Sequence, residues 1–217
     1  MTRSVGILGG TGPAGRGVAI RLASAGYDVV LGSRDAERAV TTAAQMAPRG
    51  SGLLSGASNE DAAACDVVVV ATPWDSAVST VKELREVLKA KVVISMVNAL
   101  QKQGRELVPL ILPRGSMVGE IAAALPDSFV TGAFHHLPAA QMEDLDSDLE
   151  ASVVVFGDNA GARTTTVDLV NAMAGLTAVE AGSAALGGAV ENFTAVCISI
   201  NIRHRAHSYV RIGGVSG

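Results

Sequence analysis

Apolar residues in this chain come in short unbroken runs, separated by segments where they recur every three or four positions. The first run covers residues 5–8 (VGIL). A glycine-rich turn follows, then an Ala/Leu-rich segment with Val18, Ile20, Leu22 and Ala23 at helical spacing. An unbroken apolar run bounded by turn residues predicts a buried strand, and the longer period predicts a helix laid over it. The unit repeats. Further strands are predicted at residues 28–32, 53–54, 66–71, 91–96, 129–134, 152–157 and 176–181. Helices are predicted at residues 36–47, 58–64, 74–88, 116–125 and 159–174, with a long last helix ending near Arg203. Gly26 suits the end of the first helix, and Ser58 and Asn159 suit helix starts. Residues 97–100 read as a loop, and residues 104–113 carry no assignable period. Strands alternating with helices predict an α/β fold around a parallel sheet.

Bulk properties narrow the class. The 217 residues are rich in Ala, Val and Gly, only 3% aromatic, and carry a net charge of −4. Without a Lys/Arg run, nucleic acid is not an expected partner. No apolar run approaches the ~20 residues of a membrane span, so no membrane partner is expected. The first residues lead directly into a strand with no signal-peptide pattern. Cys65 and Cys197 stand far apart without metal-ligand or CxxC spacing, so no metal is expected and a reduced, cytoplasmic protein is.

The chemistry starts at Gly10-x-Gly12-x-x-Gly15, between the first strand and first helix. Gly10 suits the tight turn, Gly12 lets backbone approach a pyrophosphate, and Gly15 lets helix pack on strand. Pro13 fits a first helical position, where its missing N–H costs nothing, and the remaining amides with the helix dipole face an anion. The fold expected is therefore a Rossmann-type doubly wound parallel sheet. Its nucleotide-binding portion spans residues 1–126, and a smaller C-terminal α/β portion, 127–217, packs on it without a linker. The end of the second strand selects the dinucleotide. An NAD-binding chain carries Asp or Glu there, about 20 residues past the glycines. This chain has Ser33 and Arg34, with Arg38 one turn on, which suits a 2′-phosphate and favours NADP, although Asp35 remains near enough for a ribose. Thr72-Pro73-Trp74 ends the fourth strand, where ligands of open parallel sheets sit, and Trp74 equally suits packing. The acidic residues 143–148 read as a solvated face. No nucleophile–base arrangement is recognisable.

Several segments together resemble one family, the NADP-dependent oxidoreductases of the deazaflavin coenzyme F420. They are residues 9–17 (GGTGPAGRG), Gly32-Ser33-Arg34 with Arg38, Asn59-Glu60-Asp61-Ala62, Cys65-Asp66, Pro73-Trp74, residues 133–140 (AFHHLPAA) and Glu180-Ala181-Gly182. The resemblance implies hydride transfer between nicotinamide C4 and deazaflavin C5, with NADP(H) and F420 as the small-molecule redox substrates. It implies that Gly10, Thr11, Gly12, Pro13 and Ala14 hold the pyrophosphate, and that Ser33, Arg34 and Arg38 hold the 2′-phosphate. Thr72, Asn98, Leu100 and Ala139 would line the nicotinamide end, and His135 would lie beside the deazaflavin, in a site completed by the C-terminal portion. No catalytic side chain is assigned. The chain departs from the family pattern at polar Asn98, at Gly187-Gly188 and in its basic, glycine-rich tail. Dimerisation through the apolar helix near residues 184–202 is expected. Two other readings are an NADPH-linked reductase of a flavin, quinone, imine or metal chelate, and a non-catalytic NADP(H) sensor.

Overall fold

The computed structural model describes residues 4–215, so the expectation for the first three residues lies outside it. The amino-terminal half alternates β1 (Ser4–Leu8), α1 (Pro13–Ser24), β2 (Asp28–Ser33), α2 (Ala36–Ala44), β3 (Leu54–Ser58), α3 (Asn59–Ala63), β4 (Val67–Val70), α4 (Trp74–Glu83), α5 (Arg85–Leu88) and β5 (Val92–Ser95). A hairpin of β6 (Leu100–Gln103) and β7 (Glu106–Pro109) follows, then α6 (Met117–Ala124), β8 (Phe129–Gly132) and α7 (Ala139–Glu143). The chain closes with β9 (Ala151–Gly157), α8 (Ala160–Ala172), β10 (Leu176–Gly182), a short 3-10 turn and α9 (Gly187–His204).

One sheet of eight strands runs in the order β10-β9-β8-β5-β4-β1-β2-β3. Its 3-2-1-4-5-8 part is the doubly wound dinucleotide order, with the reversal between β1 and β4. β9 meets β8 antiparallel and β10 lies parallel to β9, so the last two strands turn against the rest. β8 pairs with β5, which carries the sheet across the boundary expected at residue 126.

The two cores follow from the strand period. In β4, Val67 and Val69 enter one core with α1 residues such as Val18 and Leu22 and with Leu169 of α8. Val68 and Val70 enter the other, with Ala77 and Val81 of α4 and Ile121 of α6. An alternating strand buried on both faces reads as an unbroken Val run, as it did in the sequence.

Several elements differ from the expectation. The third strand is Leu54–Ser58, and Leu53 lies 69% exposed ahead of it. The second helix stops at Ala44, and the helix through residue 88 breaks at Leu84 into α4 and α5. Residues left as loop or unassigned form the β6–β7 hairpin, which stands apart from the main sheet. β8 ends at Gly132, because Phe134 adopts φ +69°, a left-handed conformation that stops an extended run. The segment Ala184–His204 is 21 residues long with a mean hydropathy of 1.3, so one helix does reach span length and apolarity. The tail turns back over the sheet: Ser152 N–H donates to the Val210 carbonyl, and Ile212 N–H donates to Ser152 Oγ.

Arg21, buried on α1, fixes the segment after β8. Its guanidinium donates to the carbonyls of Gln141, Met142, Asp144 and Ala174 and to Ser147 Oγ. Burial lowers its pKa, and nearby Asp144 works the other way. The acidic run is thus less free than its composition suggested, because Glu143 also pairs with Arg16 and Asp146 with Arg49.

Candidate active site

Beyond the carboxyl ends of β1 and β4 lies a cavity of about 530 Å³. Its floor is the β1–α1 turn. Gly9 takes φ +69°, and its N–H donates to Asn59 Oδ1 at 3.1 Å. Gly15 packs so closely under the turn that a Cβ there would lie 2.8 Å from Gly10 Cα. Thr11, Gly12, Pro13 and Ala14 face the cavity, whereas Gly10 lies beneath them, its N–H held by the carbonyls of Ile7 and Gly32. Among the described residues no side chain caps α1, which begins with Pro13, so its first-turn amides stay available to an anion.

Ser33, Arg34 and Arg38 line the same cavity. Asp35 is committed elsewhere: its carboxylate caps α2 by accepting from Arg38 N–H at 3.0 Å. That oxygen serves the helix start, and Asp35 is not among the residues that line the cavity. Arg34 and Arg38 form no ion pair among the described residues, which leaves two guanidiniums for a ligand phosphate. Thr72 and Trp74 also border the cavity, which settles Trp74 as a wall residue rather than a core one. Thr72 Oγ1 is buried and without a hydrogen-bond partner among the described residues.

A second cavity, of about 700 Å³, opens beside the first. Its walls combine Arg16 and the segment from Phe134 to Ala140, including His135 and Ala139, with Thr194, Cys197, Ile198 and Asn201 of α9 and His207 and Ser208 of the tail. Pro13, Ala14, Met96 and Asn98 border both cavities. Leu100 heads β6 and lines neither.

His135 is 5% exposed and its ring stacks on Phe156, with centroids 5.6 Å apart. Burial, with His136 close by, pushes its pKa down to about 3. His136 Nε2 bonds the Val190 carbonyl, and burial lowers its pKa against that bond. Burial thus favours the neutral form of both rings. Met96, Asn59 and Thr194 were not singled out for roles from the sequence. Only Asn59 left a trace there, beside a helix start at a strand end.

Residues 4–99 match the family described as NADP oxidoreductase, coenzyme F420-dependent. The F420-dependent NADP reductase of Methanocaldococcus jannaschii is 33% identical over 213 residues, which cover 93% of this chain and 94% of that protein. The chain belongs to the family of F420-dependent NADP reductases. The F420-dependent NADP reductase of Methanothermobacter thermautotrophicus is 30% identical, covering 96% of this chain and 93% of its own length. A crystal structure from Arthrobacter sp. FB24, described as a candidate F420-dependent NADP reductase, superposes with a TM-score of 0.78 at 22% identity, over 96% of this chain and 97% of that one. That likeness speaks for the fold. Within this F420-dependent NADP reductase fold, the first cavity occupies the place where the sheet order reverses, as a dinucleotide site should.

Proposed function

We propose that this chain transfers a hydride between nicotinamide C4 of NADP(H) and C5 of the deazaflavin ring of coenzyme F420. The observation that carries the reading is the meeting of two cavities at Pro13, Ala14, Met96 and Asn98. One cavity is lined by the start of α1, Ser33, Arg34 and Arg38, the donors that a phosphorylated dinucleotide needs. The other offers a mostly apolar wall for a flat ring. The reactants bring their own redox chemistry, so the chain has to align two rings and keep water from between them.

In this reading Thr11, Gly12, Pro13 and Ala14 hold the pyrophosphate on the α1 amides, over Gly10. Ser33, Arg34 and Arg38 hold the 2′-phosphate through charge-assisted bonds. Thr72, Asn98 and Ala139 border the nicotinamide end, and His135 borders the deazaflavin. Residues 1–126 supply the nucleotide portion and 127–217 complete the second cavity. A homodimer formed through α9 and a cytoplasmic location belong to the same proposal. Two buried, unpaired thiols, Cys65 and Cys197, accord with a reducing compartment.

The test is direct. NADPH mixed with oxidised F420 should lose the deazaflavin's visible absorbance when the protein is added. No change, with turnover of an imine or a quinone instead, would move the chain to another reductase class. Binding of NADPH without turnover of any acceptor would make it a sensor.

A further inference from the structure

Asn98, the polar departure in the loop after β5, has a defined task in this structure. It lies where the two cavities meet. Its Nδ2 donates to the His135 carbonyl at 3.4 Å, which turns Oδ1 toward the imidazole. His135 Nδ1 lies 3.1 Å from that oxygen, and the Thr194 hydroxyl on α9, with one proton to give, lies 3.1 Å from both that oxygen and the His135 carbonyl. An amide oxygen only accepts, so Nδ1 carries the ring proton. Nε2 is left with a lone pair, buried and without a partner among the described residues.

We infer that Asn98 is a positioning residue that holds His135 as the neutral Nδ1–H imidazole, an acceptor-only group in the wall of the second cavity that favours rings presenting an N–H or O–H donor. This selection rests on the hydride-transfer reading for its substrate; the tautomer does not.

Three further observations bear on it. The ring is stacked on Phe156, and left-handed Phe134 turns the backbone so that the His135 carbonyl meets both Asn98 and Thr194. Among the described residues, no charge faces the ring that would protonate it. His136, with its centroid 6.4 Å away, is held to the Val190 carbonyl. Arg16 and Glu143 neutralise one another across the cavity, and Glu191 of α9 is occupied by the amides of Met117 and Val118. Cys197 is a buried thiol whose pKa burial raises, and His207 stands on the exposed tail. Nε2 has almost no accessible surface, so a ring-edge donor reaches it only by displacing part of the cavity wall.

The assignment takes His135 out of the proton's route. When NADPH reduces the ring, the C4–H bond would break with its electron pair going to C5, and a ring nitrogen would take a proton. His135 would have no Nε2 proton to give, so it would not be that proton's source.

A long-range proton–nitrogen-15 correlation spectrum of the labelled full chain, with His135→Gln to assign the signals, reads the tautomer without any acceptor present. The expected pattern is Nδ1–H, unchanged between about pH 5 and pH 8. An Nε2–H or a doubly protonated ring in that range overturns the inference. Asn98→Val should release the tautomer and raise KM for the deazaflavin about tenfold, the worth of one hydrogen bond, with a smaller change in kcat. Asn98→Asp, nearly isosteric, should keep Nδ1–H but add a charge that favours imidazolium. A new inflection should then enter the pH profile of kcat/KM, with activity falling on the acid side. Wild-type KM and tautomer in Asn98→Val, or a flat profile in Asn98→Asp, would refute the role.

Discussion

Glu191 of α9 reaches across to α6 and accepts the Met117 N–H at 2.6 Å, taking the neighbouring Val118 N–H with its other oxygen at 3.0 Å. A carboxylate from the helix that walls the second cavity thus satisfies two first-turn amides of α6. Burial is the larger influence on it: the pKa rises from 4.5 to about 7 against the pull of those amides.

This contact gives stability a pH signature. A folded-state pKa above the unfolded one contributes stability that is present in full below pH 4.5 and is lost as pH rises to about 7. The displacement corresponds to on the order of 3 kcal/mol. His135 acts in the opposite sense. Its pKa falls from 6.5 to about 3, so its contribution is present above pH 6.5 and is lost on acidification. The two slopes overlap and oppose between pH 4.5 and 6.5. The wild type should therefore show a shallow profile of denaturation midpoint against pH in that window. Glu191→Gln removes the falling component, and its midpoint should climb as pH rises from 5 toward 6.5. A variant profile parallel to the wild type would show that Glu191 is ionised on both sides of folding.

The three motif glycines do different work, and substitution separates them. A Cβ on Gly15 meets backbone atoms of Gly10 from 2.8 Å, and neither side can yield. Gly15→Ala should destabilise the fold by about 2 kcal/mol or more. Gly12 has ordinary φ −73°, and an added Cβ would lie 3.6 Å from the Gly9 carbonyl oxygen. Gly12→Ala should fold with a near wild-type melting temperature, yet bind NADPH at least ~10-fold more weakly, since the methyl fills the pyrophosphate's approach. Calorimetric melting and titration of the same two variants check both halves. Unimpaired NADPH binding by Gly12→Ala would remove the pyrophosphate from this loop.

That contrast bears on what could be read from the sequence. The glycine loop, Pro13 and the Val run of β4 were legible because each encodes a local requirement: a turn, a helix start, a doubly buried strand. The β6–β7 hairpin was not. Its strands are short and carry Gln101, Lys102 and Gln103 exposed in succession, so no apolar alternation marks them. Met96 and Thr194 escaped for another reason. Thr194 reaches its place only because α9 meets the loops after β5 and β8, where its hydroxyl lies against Asn98 and His135, 96 and 59 residues away in the chain, and Met96 lies one residue past the end of β5, where two cavities meet. Leu100 illustrates the same limit from the other side. It sits two residues past Asn98, but the entry into β6 carries it away from both cavities.

The exposed apolar residues Phe193, Val196 and Ile200 recur on α9 at spacings of three and four, at 44%, 47% and 40% exposure. Such a stripe on one helix face fits a self-complementary twofold contact. Phe193→Glu would set a charge against its symmetry mate in that contact. Sedimentation should show dimer for the wild type and monomer for the variant. A monomeric wild type at micromolar concentration would leave the stripe without this partner.

Choice of dinucleotide gives the most discriminating measurement. Arg34 and Arg38 are free of ion pairs among the described residues, and Asp35 is held at the α2 start by the Arg38 amide. The pocket thus presents two cations and the Ser33 hydroxyl, and no carboxylate is among its lining residues. A 2′-phosphate gains charge-assisted bonds worth about 1.5–3 kcal/mol each to such groups, whereas a 2′-hydroxyl gains little from them. Arg38→Ala should therefore weaken NADPH binding about 10- to 100-fold and leave NADH affinity within about twofold. The ratio of the two dissociation constants is the quantity to follow, because a general loss of folding would lower both together. If wild-type protein binds NADH as tightly as NADPH, these cations do not grip the adenosine's phosphate and the assignment of the first cavity's outer end is wrong.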